Sequence, residues 1–304
     1  MGNPEFAIPT LKAIQKSDHD LVAVVSNPPK PMGRGKSLSL TPVGEYAKQN
    51  RLYLLEPASL NSKELNDELK NLKPDIFVVV AFRILPKSLI ELPTYGSINL
   101  HASLLPKYRG AGPIQWALIN GEKKTGVTIF QIRPKVDTGE ILMQKEIPIK
   151  ESDNMLSLGS RLCEYGSKMI IDTLDLVQEN PNIKGEKQNP LKATQAPKIS
   201  KEMTIINWEL SCYKIHNWVR GLSPYPGMVT TYNKKRLIIF KTKIVERDNL
   251  SPGMIFIKSR ESLYVGTGKG VLEIFELQIE GKKKMKIKDF LRGSNMISGE
   301  FLGQ

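Results

Sequence analysis

DIFVVVAF, residues 75–82, is a short apolar run rich in β-branched residues, and LVAVVS, residues 21–26, is a second one. Runs that are apolar throughout read as parallel strands covered on both faces. Between them lie the helical patterns TPVGEYAKQN (41–50) and SKELNDELKNL (62–72). Strands alternating with helices imply an α/β fold with a doubly wound, Rossmann-like parallel sheet, and ligands of such sheets bind beyond the carboxyl ends of the strands. A second strand pair follows at 126–131 and 141–149, and an amphipathic helix is expected over 153–178.

Downstream the pattern changes. Residues 179–202 are polar and Pro-containing without periodicity, as a linker is. Short β-rich segments then recur at 229–232, 236–245, 253–257, 262–266 and 270–278, separated by turn residues. They predict a small OB-like β-barrel. A chain of 304 residues also exceeds the size at which single cores stop growing. The expected organisation is a catalytic domain over 1–180, a linker over 181–202 and a second domain over 203–304.

Composition narrows the function classes. Apolar residues make up 40% and charged residues 25%, as in a folded globular protein. There is no long apolar window and no basic flank followed by an apolar core, so the expectation is a cytoplasmic protein without a membrane span. Cys163 and Cys212 stand alone, without the spacing of a zinc site or a disulfide framework, and read as core fillers. The net charge of +13 exceeds what an enzyme of small neutral metabolites needs and points to a polyanionic partner. Residues 203–304 hold 17 Lys and Arg against 9 Asp and Glu, so an excess of +8 belongs to the second domain. Its GKKKMKIKDF segment (281–290) reads as a phosphate-tracking surface or as a solvated hairpin. The first alternative implies salt-dependent binding.

The candidate site lies in SINLHASLLPKYRGAG, residues 97–112, where an apolar strand breaks off at Asn99 and His101 before a Pro- and Gly-rich loop. Residues two apart on a strand share a face, so both side chains point the same way. Asp137 follows downstream. A lone buried His is more often structural, and His19 and His216 fit that description. For His101 the following turn, Ser103, Leu104, Leu105 and Pro106, tips the balance: an apolar rim with backbone amides suits a flat ring that needs stacking surface and edge hydrogen bonds. Arg109 and Gly110 shape the loop or steady the site, with equal weight.

The motif N-x-H-x-S-L-L-P-x-Y-R-G-x-x-P-I at 99–114, followed by D-T-G at 137–139, resembles the folate-dependent formyltransferases. MGNPEF (1–6), PMGRGK (31–36), APKISKE (196–202) and INWELS (206–211) are similar to further family segments in the same order. The resemblance implies 10-formyltetrahydrofolate as co-substrate, held by Ser103, Leu104, Leu105 and Pro106. D-T-G and the basic second domain favour the branch that formylates the methionine of initiator methionyl-tRNA, with Arg34 and Lys36 as tRNA contacts. No metal is implied, and a monomer is expected. The alternatives are an amino-sugar-nucleotide formyltransferase and a catalytically inactive nucleic-acid-binding relative. Two departures stand out: Asn207 where the family more often has Asp, and a chain that begins at the Met of the first turn, where the family has a preceding apolar strand. The resulting expectation is a sheet without its first central strand, with unpaired backbone and an apolar slot.

Formyl transfer between amines passes through a tetrahedral intermediate carrying an oxyanion, so donors must sit where that charge develops. Asn99 offers a neutral donor and His101, when protonated, a charge-assisted one. Asp137 can hold the imidazolium. It could also take the attacking amine's proton, directly or through a water.

Overall fold

The structure, a computed structural model, describes residues 1–32, 37–246 and 250–304. It divides into two compact units: the first comprises 1–113, 124–148 and 159–196, and the second 114–123, 149–158 and 197–304.

The first unit carries β1 (Val24–Val25), the hairpin of β2 (Lys30–Met32) and β3 (Ser37–Ser39), then β4 (Leu54–Leu55) and β5 (Phe77–Val79). Helices α1 (Ile8–Lys16), α2 (Pro42–Gln49), α3 (Lys63–Asn71) and α4 (Lys87–Ile90) alternate with them. Side-chain caps start two of these helices: Thr41 Oγ1 accepts from the Gly44 N–H at 2.9 Å, and Ser62 Oγ from the Leu65 N–H at 3.3 Å. Leu65 and Leu69, one turn apart on α3, bury with Phe77 and Val79 of β5 in one core cluster. Then come β6 (Ser97–His101), β7 (Lys124–Gln131), β8 (Ile141–Pro148) and α6 (Met155–Glu179), the last matching the helix expected over 153–178, with its residues 155–158 in the second unit; α5 (Pro113–Ile119), between β6 and β7 in the chain, belongs to the second unit from residue 114.

The Rossmann-like sheet is mixed rather than parallel throughout. β1 pairs β4 and β5 pairs β6 in parallel, whereas β6–β7 and β7–β8 are antiparallel. A β7–β8 hairpin needs no helical crossover, and apolar runs do not disclose strand direction. Met1 and Gly2 lie between β1 and the end of β5: the Gly2 N–H donates to Val25 C=O at 3.1 Å, and Met1 C=O accepts from the N–H of Val80, the residue after β5, at 2.9 Å. Beside them is a cavity of about 530 Å³ whose lining includes Leu11, Ile14, Val24, Phe77, Val78 and Leu174.

The stretch expected as a linker divides between the units. Up to Ala196 it is part of the first, held by backbone bonds from Arg109 N–H to Thr194 C=O at 2.9 Å and from Ala196 N–H to Arg109 C=O at 2.7 Å. Polar, aperiodic sequence here marks irregular but paired backbone.

The second unit holds α7 (Cys212–Gly221), β9 (Met228–Tyr232), β10 (Lys235–Val245), β11 (Ile255–Ser259), β12 (Ser262–Gly266), β13 (Val271–Ile279), β14 (Met285–Lys286) and α8 (Ile287–Arg292). The strands form one antiparallel sheet in the order β11-β12-β13-β10-β9, with β14 on β13. Among the described residues no pairing joins its outer strands β9 and β11. Alternation works as expected: β9 buries every other residue, and Leu237, Ile239, Leu263, Leu272 and Leu277 enter the core with Trp208. Asn233 and Lys234, both at positive φ, make the two-residue turn between β9 and β10. Asn207 Oδ1 accepts from the Glu209 N–H at 3.0 Å, a bond an Asp carboxylate would also make. Cys163 and Cys212 are free and buried, and burial raises both thiol pKa values. Among the described residues no helix is long and apolar enough to cross a membrane.

Candidate active site

β6 delivers Asn99 and His101 to the carboxyl end of the parallel part of the sheet. Asn99 sits in register with Val79 of β5 and Phe130 of β7, and His101 opposite Thr128. Asn99 is half-buried, and among the described residues its side-chain amide has no protein hydrogen-bond partner. Such an amide is available to a ligand.

His101 is 7% exposed and stands edge-on to Phe130, with ring centroids 6.4 Å apart. Its Nε2 lies 2.8 Å from Tyr108 C=O. A carbonyl only accepts, so Nε2 carries the proton and donates. Nδ1 then faces Asp137 Oδ2 at 3.7 Å. The neutral ring presents a bare lone pair to that carboxylate, so the pair is complementary when a proton lies between the two atoms. The structure thus brings His101 and Asp137 together as expected. It differs from the expectation in directing both ring nitrogens at protein groups, which leaves Asn99 as the unengaged donor of the trio.

Asp137 adopts φ 51°, a left-handed conformation that Asp tolerates better than most residues. Its Oδ2 accepts from the Gly110 N–H at 2.8 Å. Gly110 has φ 118°, and a Cβ there would meet Ala196 O at 2.8 Å, so glycine is required for the approach. Arg109, weighed equally for loop shape and for steadying the site, donates from Nε and Nη2 to Gln188 Oε1 at 3.1 and 2.6 Å.

The turn after β6 is held from within. Ser103, fully buried, donates its hydroxyl to Lys107 C=O at 2.7 Å. The Leu105 N–H donates to Thr128 Oγ1 at 3.2 Å, and Gln144 Nε2 donates to Leu105 C=O at 2.9 Å. The Leu105 amide is therefore engaged within the protein, contrary to a rim of free amides, and Leu105 itself is only 3% exposed. Leu104 and Pro106 remain half-buried and form the accessible apolar part of the turn. Leu104 lies over Gly126, where a Cβ would come within 2.4 Å of its Cδ2.

Thr128, Gln144 and Gln188 were not singled out by sequence reasoning. Thr128 interrupts an apolar strand with a hydroxyl, which is a faint signal, whereas Gln188 sits in polar sequence that gives none. Arg34 and Lys36 lie outside the described residues. His19 pairs with Asp175 at 3.0 Å and His216 with Thr242 Oγ1 at 2.8 Å, so both have the structural surroundings expected of them. Among the described residues no three His, Cys, Asp or Glu side chains cluster as a metal site.

The formyl transferase family profile matches residues 1–174, and the profile of the formyl transferase C-terminal domain matches residues 198–295. A methionyl-tRNA formyltransferase from Caldanaerobacter subterraneus subsp. tengcongensis is 44% identical, over 99% of this chain and 98% of its own length. Another, from Thermodesulfovibrio yellowstonii, is 44% identical over 98% of this chain and 96% of its own. The fold is shared with the N-formyltransferase from Helicobacter canadensis, crystallised with folinic acid and dTDP-3-aminofucose: TM-score 0.65, 23% identity, 90% of this chain and 96% of that one. With a catalytic-domain match, a C-terminal-domain match and full-length relatives above 40% identity, the chain belongs to the methionyl-tRNA formyltransferase family of the formyl transferases.

Proposed function

We propose that this protein transfers the formyl group of 10-formyltetrahydrofolate to the amino group of methionine on initiator methionyl-tRNA. The observation that carries the proposal is the convergence of Asn99, His101 and Asp137 at one strand end, with Asp137 Oδ2 3.7 Å from His101 Nδ1, in a chain whose full-length relatives bear that activity in their names. The residues present fit a folate. Leu104 and Pro106 offer apolar surface to a pterin, and the unpartnered Asn99 amide offers a donor beside it.

The bound folate supplies the activated formyl group. Asn99 donates to the formyl oxygen as negative charge develops there, the point at which a preorganised donor has its largest effect. Asp137 and His101 together hold or accept the proton that the attacking amine must lose. Leu105, its amide committed to Thr128, keeps the folate-facing turn in shape, and Ser103, whose hydroxyl holds the Lys107 carbonyl, stays in the proposed folate rim through its backbone. The first unit carries this chemistry, and the basic second unit binds tRNA through its phosphates, which makes affinity fall as salt rises. Arg34 and Lys36 are proposed as further tRNA contacts on the ground of sequence. The protein acts as a cytoplasmic monomer and needs no metal.

Formyl transfer from 10-formyltetrahydrofolate to charged initiator tRNA, to a dTDP-linked amino sugar and to glycinamide ribonucleotide tests the proposal. Formylation of the tRNA is expected. Formylation of the sugar nucleotide alone would overturn it.

A further inference from the structure

We infer that Gln188 is a positioning residue for the transfer, holding the Asp137 carboxylate in its place opposite His101. The inference rests on Asp137 belonging to the catalytic trio. Gln188 lies in the polar stretch between α6 and the second unit, far in sequence from both loops it joins. Its Oε1 accepts both Arg109 Nε–H and Nη2–H, at 3.1 and 2.6 Å. Its Nε2 donates to Asp137 C=O at 3.0 Å and to Gly139 C=O at 2.8 Å. The amide orientation follows from chemistry, because guanidinium groups only donate and carbonyls only accept. Both lone pairs and both protons of the amide are thereby used.

The geometry gives this amide a task beyond packing. Asp137 sits at φ 51° and contributes its carboxylate from a turn that no strand or helix fixes. The two carbonyls that Gln188 grips flank Thr138, so the grip sets the path of the backbone on which the carboxylate is mounted. Arg109 ties the same amide to the loop that supplies both the Gly110 N–H for Asp137 and the Tyr108 C=O for His101. Gln188 is thus the tie between the loop that orients the imidazole and the turn that carries its carboxylate. A displacement of a reacting group by about 1 Å costs on the order of a hundredfold in rate. Of the available replacements, Glu keeps the length and the acceptors for Arg109 but removes both donors and places an anion against two carbonyls. Met keeps the length and removes all four bonds.

The test compares the full-length protein with Gln188→Glu, Gln188→Met, Asp137→Asn and the double variant Asp137→Asn/Gln188→Glu. Formyl transfer to initiator methionyl-tRNA and thermal melting are measured on each. Both Gln188 single variants are expected to lose at least tenfold in kcat while KM for the folate and for the tRNA stays within about twofold. If Gln188 works through Asp137, the double variant loses no more than Asp137→Asn alone. Wild-type kcat in either single variant that folds would overturn the inference. So would additive losses in the double variant, or a KM rise and melting loss that account for the lower rate. Absence of transfer by the wild-type protein would instead overturn the proposed function, so the two failures are distinguishable.

Discussion

His101 Nε2 donates to the Tyr108 carbonyl across 2.8 Å, and this bond decides what the rest of the imidazole can do. With its Nε2 proton committed, the ring reaches Asp137 through Nδ1, 3.7 Å from Oδ2. Tyr108 is held in turn at φ 61°, with its N–H on Thr194 Oγ1 at 2.9 Å. A left-handed conformation at a bulky residue costs on the order of 1–3 kcal/mol and persists where its surroundings enforce it. Here it aims a carbonyl at the His101 ring.

Asp137→Asn removes the charge opposite Nδ1 while leaving an oxygen for the Gly110 N–H. The expected result is a loss of about a hundred- to ten-thousand-fold in kcat, the range for a positioned acid–base group. The melting temperature should stay within a few degrees of wild type. Steady-state kinetics with melting curves check both, and a kcat near wild type would remove Asp137 from the mechanism.

Asn99→Ala deletes an amide that has no protein partner among the described residues, so stability should change by less than about 1 kcal/mol. The rate should fall about a hundred- to a thousandfold, as on loss of an oxyanion donor. Urea unfolding beside the transfer assay separates these effects. A large loss of stability with little loss of rate would make Asn99 a structural residue.

Thr128→Val tests the turn proposed to face the folate. The hydroxyl is fully buried and donates to Ser103 C=O at 2.7 Å while accepting from the Leu105 N–H and Gln144 Nε2. Valine keeps the shape and strands these partners, at about 1–3 kcal/mol for an unsatisfied buried group. KM for the folate should rise and KM for the tRNA should not. A rise in both would show that the turn does not serve the folate selectively.

How much of this is legible in the sequence depends on which atoms do the work. Asn99 and His101 announce themselves as polar residues ending an apolar strand, and Leu104 with Pro106 as apolar residues in a loop. Tyr108 acts on His101 through its carbonyl, which every residue possesses, so no sequence pattern could reveal it. Gln188 is one polar residue among many in 179–202, and only the folded backbone selects it. Strand periodicity marks β7 and β8 as strands but says nothing of direction, which is why the mixed sheet could not be read from the apolar runs. The second unit is more legible because its strands alternate: β9 buries Met228, Thr230 and Tyr232 and leaves Val229 and Thr231 partly exposed.

The second unit should lose stability as pH falls below about 6.5, and His216 gives the sign. Burial in the α7–β10 packing, followed by the nearby Arg220 charge, lowers its pKa from 6.5 to about 4. Between these values the unfolded chain binds the proton and the folded one does not, so stability rises with pH through the window and is lost as pH falls from 6.5 towards 4. At about 1.4 kcal/mol per unit, and allowing for partial exposure, the change amounts to about 2 kcal/mol. Trp116, Trp208 and Trp218 all lie in this unit, so tryptophan fluorescence during urea unfolding reports on it alone. His216→Gln keeps a hydrogen-bonding group for Thr242 Oγ1 and removes the titration. Its unfolding free energy should depend on pH less steeply than the wild type's between pH 4 and 6.5, and equal slopes would assign the acid sensitivity to other groups.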